Sequence, residues 1–72
     1  MTRVSELKIT VNDEAQALPA ESTVADLLTR LNVPPQRVAV EVNERLVRRG
    51  QYAETPLRDG DRVEIVTLVG GG

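Results

Sequence analysis

The chain has 72 residues, with nine basic and eleven acidic side chains and a net charge of −2. That is one small domain, of a size that buries only about 60% of the surface its unfolded form exposes. It contains neither cysteine nor histidine, which excludes disulfides, thiolate chemistry, the commonest metal ligands and the usual neutral-pH base; the mild negative charge is not the footprint of a dedicated nucleic-acid binder.

No apolar stretch approaches the roughly 20 residues of a membrane span, and "MTRVSELKIT" has no signal-peptide core. A cytoplasmic location is therefore expected, and the lack of cysteine fits a reducing compartment. Leu7, Ile9 and Val11 alternate with Lys8 and Thr10, the period of a strand with one buried face. "NDE" at 12–14 supplies turn residues, and Ala15 to Leu18 returns as a second strand of a hairpin.

A helix is expected next. Ser22 or Thr23 can cap it, and Asp26 falls in its first turn. Val24, Leu27, Leu28 and Leu31 share one face at i, i+3, i+4 and i+7, and Asn32 with Pro34–Pro35 ends the run. About nine residues long, the helix depends on packing. Val38, Val40 and Val42 then alternate as a third strand, Asn43–Glu44 turns, and Leu46–Val47 form a short fourth. Residues 48–62 read as polar and irregular up to "DGD" at 59–61, a strong turn signal. The last strand is expected from Val63 to Val69. The order β-β-α-β-β-β implies an α+β domain, a sheet with one helix across a face.

In the last strand Val63 and Ile65 point one way, toward the helix, while Glu64, Val66 and Leu68 point the other. Exposed apolar residues are common, but two on one strand leading into a special tail suggest a docking patch. Three glycines in a row at a chosen position are a chance event of roughly one in several thousand.

"NERLVRRGQYAETPLRDGDRVEIVTLVGGG" resembles the C-terminal half of the ThiS family, the sulfur carriers of thiamine thiazole synthesis. The matching features are Asn43, Leu46–Val47, Tyr52, Leu57, Asp59, Gly60, Asp61, the strand Val63 to Val66 and the terminal glycines. The N-terminal half, with its hairpin and "TVADLL" helix, agrees more loosely. Two positions depart from the family pattern: Arg48, where many relatives carry proline, and Leu68, where many carry an aromatic. The second weakens the expected partner contact, since an aromatic is the stronger anchor.

The resemblance implies a ubiquitin-like β-grasp fold over residues 1–69, a mixed sheet of about five strands with its first and last strands parallel in the middle. A flexible reactive tail follows at 70–72. It also implies that Gly72 is adenylated by a ThiF-like activating enzyme using ATP, and that sulfur then displaces AMP to leave a thiocarboxylate. The sulfur comes from a donor such as a cysteine desulfurase relay and passes to thiazole synthase. No bound cofactor and no metal are expected, and a free monomer is.

The tail suits that chemistry physically. A carboxylate must be activated before it can donate its acyl group, in a site that excludes water. Three glycines reach about 10 Å, and without β-carbons Gly70 and Gly71 can enter a narrow channel. Val66, Leu68 and Val69 would contact the partner. The body has no nucleophile–base pair, so the protein is expected to be a co-substrate and not an enzyme. Carriers for molybdopterin, tRNA thiolation or cysteine synthesis are the near alternatives, although molybdopterin carriers often have a Pro-Pro approach that "VTLVGGG" lacks. A ubiquitin-like modifier of lysines is the alternative of another class, because it uses the same adenylated tail.

Three further features have plainer readings. Arg45, Arg48, Arg49, Arg58 and Arg62 are expected to form a solvated face. Tyr52 is the only aromatic, and single-stranded RNA recognition needs more stacking surfaces. Asp59 and Asp61 offer too few ligands for a calcium loop and are read as a turn. Tyr52 is expected to pack over the loop between the fourth and fifth strands.

Overall fold

The structure is a computed structural model and describes residues 6–68. Five strands and one helix appear in the expected order: β1 (Glu6–Val11), β2 (Glu14–Pro19), α1 (Val24–Arg30), β3 (Val38–Val42), β4 (Arg45–Val47) and β5 (Arg62–Thr67). They form one sheet of order β2-β1-β5-β3-β4. β1 and β5 are parallel neighbours, with Thr10 opposite Arg62 and Val11 opposite Val63; every other pairing is antiparallel. The strand that leads to the tail is therefore the central one.

Both hairpins close through two-residue turns with positive φ at each central position: 49° and 70° at Asn12 and Asp13, and 51° and 68° at Asn43 and Glu44. That is the type I′ signature, whose twist matches that of the flanking strands, and asparagine adopts it readily.

The helix is delimited at both ends by local chemistry. Thr23 is its N-cap: the Thr23 hydroxyl accepts from the Asp26 N–H at 3.2 Å, and the Asp26 carboxylate accepts from the Thr23 N–H at 2.9 Å. This reciprocal capping box selects Thr23 over Ser22. Ser22 is buried and its hydroxyl donates to the Pro19 carbonyl. At the C-terminus Asn32 takes φ 58°. The Val33 N–H reaches back to Leu28 O at 2.9 Å and the Asn32 N–H to Thr29 O at 3.1 Å, a Schellman motif. α1 is thus seven residues long, two fewer than the apolar periodicity suggests, because Leu31 belongs to the cap.

Leu7, Ile9, Val11 and Leu18 of the hairpin close over Val24, Leu27 and Leu28 of α1, with Val38, Val40 and Val63 from the other strands. One expectation changes. The β4–β5 connection is not wholly irregular: Arg49–Glu54 forms a 3₁₀ segment, and Tyr52 is a core residue, 4% exposed, whose hydroxyl donates to Val38 O at 3.4 Å. Leu57 is buried as well. The Val24 N–H donates to Thr55 O and the Leu57 N–H to Ser22 O, so this segment straps the start of α1 to the sheet. Its inward residues lie in a polar run, where no period reveals them.

Candidate functional site

The candidate site is β5, its outward face and the tail beyond it. The strand is held in register by side chains that the sequence places in turns. The Asn12 amide bonds the Ile65 backbone twice: its Oδ1 accepts from the Ile65 N–H at 2.8 Å and its Nδ2 donates to Ile65 O at 3.1 Å. The side chain continues the β1–β5 ladder past the end of β1. From the opposite flank the Asn43 Oδ1 accepts from the Arg62 N–H at 2.9 Å, and its backbone N–H donates to Arg62 O at 2.7 Å.

The Asp-Gly-Asp turn completes the frame. The Lys8 N–H donates to Asp59 Oδ1, the Gly60 N–H to Lys8 O, and the Thr10 N–H to Asp61 O. The Asp61 carboxylate accepts from the Arg58 N–H and from Asn43 Nδ2. Both aspartates therefore have structural partners, in accord with the turn reading. Gly60 sits at φ +88°, a conformation that glycine adopts without strain.

The two faces of β5 separate as expected. Val63 is buried and Ile65 half-buried on the helix side, whereas Glu64 points to solvent, Val66 is 57% exposed and Leu68 is 47% exposed. Leu68 continues the pairing one step past the strand, its N–H donating to Arg37 O at 2.7 Å. Val69, Gly70, Gly71 and Gly72 lie outside the described residues, as do the tail boundary at 69/70 and the tail chemistry.

A third exposed apolar residue, Leu46, was not singled out from sequence. It is 68% exposed and shares the open face, opposite Glu41 on β3. Glu41 in turn lies opposite Glu64 on β5, and Val66 lies opposite Ala39. The open face therefore carries apolar side chains around two carboxylates in cross-strand register, an arrangement that like-charge repulsion disfavours. Leu46 could have been found by assigning faces within "RLV", but three residues give little period to read.

The arginines do not form a single patch. Arg45 and Arg58 line a polar cleft with Asn43, Pro56 and Asp61, at the end of the sheet away from the tail. The Arg49 guanidinium donates to Gln36 O at 3.3 Å, near the tail end.

Comparison with known proteins follows this architecture. A family model described as the ThiS family matches residues 3–72. The chain belongs to the ThiS family. It is 32% identical to the sulfur carrier protein ThiS of Escherichia coli over 66 residues, which is 92% of this chain and all of that one. A crystal structure of the thiamine biosynthesis protein ThiS from Geobacter metallireducens superposes with a TM-score of 0.79 at 32% identity, covering 92% of this chain and all of that one. The ubiquitin-like β-grasp expected from the resemblance is thus the observed fold. A thiazole synthase of Paramagnetospirillum magneticum is 41% identical over 66 residues. The chain spans only about a fifth of the length of that protein and of a second thiazole synthase, from Magnetococcus marinus, which is 39% identical. No helix among the described residues is long and apolar enough to cross a membrane.

Proposed function

We propose that this chain is the sulfur carrier of thiamine biosynthesis, a co-substrate with no catalytic machinery of its own. The Gly72 carboxylate attacks the α-phosphorus of ATP on a ThiF-like enzyme, releasing pyrophosphate and forming an acyl-adenylate. The terminal sulfur of a donor persulfide, such as one loaded by a cysteine desulfurase relay, attacks the acyl carbon and AMP leaves; a thiol then cleaves the S–S bond of the resulting acyl disulfide, forming a disulfide with the donor cysteine and releasing the thiocarboxylate. The resulting thiocarboxylate is tethered and nucleophilic, and its sulfur passes to thiazole synthase. Gly70 and Gly71 give the tail its access, and the exposed side chains of Val66 and Leu68 dock the partner.

The observation that carries this reading is the family match through residues 3–72 on a body whose central strand leads directly to the glycines. The thiazole synthases support the thiamine pathway over molybdopterin. Each contains, in one polypeptide, a stretch similar to this chain, which is the natural arrangement for a carrier and its acceptor.

Intact mass spectrometry tests the proposal. The chain is incubated with the activating enzyme, ATP and a sulfur donor, and a mass gain matching replacement of one oxygen by sulfur at the C-terminus is expected. Gly71→Val should block the gain while circular dichroism and Tm stay unchanged, because a β-carbon obstructs entry into a narrow channel and no core residue is altered. Thiolation that survives deletion of Gly72 would overturn the carrier reading. Lysine conjugates without a thiocarboxylate would point to a protein modifier.

A further inference from the structure

The two flanks of β5 are supported unequally. Against β3 the strand pairs from Val63, opposite Val42, to Thr67, opposite Val38, and the Leu68 N–H extends that side to Arg37 O. Against β1 it pairs only at Arg62 and Val63. The Asn12 N–H still reaches Val63 O at 2.9 Å. There the first hairpin turns the chain away, with positive φ at Asn12 and Asp13.

The backbone groups of a strand alternate between its flanks. The next pair on the β1 flank belongs to Ile65, and the Asn12 amide takes both its N–H and its carbonyl. Beyond Ile65 no strand among the described residues adjoins β5 on that flank. Beneath this end of the strand lies an apolar groove of about 270 Å³, bordered by Asn12, Leu31, Val33, Val38, Ile65 and Thr67, so packing supports it little there. On the other face Val66 and Leu68 are about half exposed. Two hydrogen bonds from one side chain are thus the last hold on the β1 flank of the segment that carries the exposed apolar pair.

We propose that Asn12 is a positioning residue for sulfur loading: by fixing Ile65 it sets the twist at which β5 presents Val66 and Leu68 to the activating enzyme. This role rests on the carrier reading and involves no contact between Asn12 and the reacting atoms. Without the amide, the end of β5 hangs from β3 alone and samples a spread of twists. An enzyme that binds one of them meets its partner at a fraction of the total concentration, which raises KM in inverse proportion to that fraction. Chemistry on the bound chain is unchanged, so kcat holds.

The test compares Asn12→Gly with Asn43→Gly in the full-length chain, thiolated by the activating enzyme with ATP and a sulfur donor. Glycine keeps each turn, because it adopts positive φ without strain, and each change removes one clamp on β5. Asn43, however, grips Arg62, at the end away from the tail. Rates are read well below the Tm of each variant, with folding checked by circular dichroism. Asn12→Gly is expected to raise KM for the carrier about fivefold with kcat held within about twofold, the population shift that a modest pair of hydrogen bonds sustains. Asn43→Gly should lower Tm as well, yet leave both constants unchanged. Asn12→Asp keeps the acceptor for the Ile65 N–H and should raise KM about twofold; should the glycine variant not fold, a wild-type KM in Asn12→Asp overturns the role. A wild-type KM in a folded Asn12→Gly, or an equal rise in Asn43→Gly, overturns the positioning role and leaves the carrier reading intact. A wild-type chain that takes up no sulfur overturns both.

Discussion

The β5 segment presents two apolar residues to each face, and the two pairs are unlike in burial. Val63 and Ile65 turn to the helix, and Val63 is all but fully buried. Val66 and Leu68 lie one residue out of phase and remain about half exposed. Burial on the first face contributes to folding. The second contributes little and sits beside two facing carboxylates, which a sheet selected for stability alone would avoid. One strand therefore has two unlike faces: its inner face holds the body together, and its outer face stays exposed.

Substitutions can break that contrast, and their effects on stability should descend in order. Val63→Ala removes two methyl groups from a closed core and should cost about 2 kcal/mol, read as a Tm fall of roughly 8–16 °C. Gly60→Ala meets no steric obstruction, but its φ of +88° should cost about 1–2 kcal/mol. Denaturant unfolding should show an unchanged m-value.

Asn12→Asp should cost about 1 kcal/mol. It keeps a side chain that tolerates positive φ and an acceptor for the Ile65 N–H, but loses the donor to Ile65 O. Asn12→Ala should raise hydrogen exchange at the Ile65 amide, and Asn43→Ala at the Arg62 amide, which separates the two ends of the strand. Val66→Ser should shift stability by no more than about 0.5 kcal/mol, yet lower the kcat/KM of thiocarboxylation. Loss of stability comparable to that of Val63→Ala would erase the division between the faces. Smallest of all, Glu64→Thr should raise stability by a few tenths of a kcal/mol by relieving its apposition to Glu41, seen as a small rise in Tm.

Much of this architecture is legible along the chain. Leu7, Ile9 and Val11 declare a strand, Val24, Leu27 and Leu28 a helix face, and Asn12–Asp13 and Asn43–Glu44 the turns, because each pattern is carried by neighbouring residues. The opposite orientations of Val63 and Val66 follow from the same period. The 3₁₀ segment around Tyr52 was not legible. Its burial depends on Val38, 14 positions away, and on the start of α1, not on any repeat of its own. The exposure of Leu46 on the open face was not legible, because a three-residue strand shows too little alternation.

The asparagines mark the boundary between the two kinds of information. Their turn role is local, and their identity announces it. Their hold on β5 is not: Asn12 reaches a partner 53 residues away and Asn43 one 19 residues away. The sequence by itself determined the five strands, the helix and most of their inward faces, since periodicity and turn chemistry are properties of adjacent residues. Only the tertiary structure decided that two turn amides clamp the tail-bearing strand and that Glu41 faces Glu64. It alone sets an apolar groove beside the exit of β5. Those facts depend on which strands become neighbours, and that is settled by the summed burial and hydrogen bonding of the whole sheet.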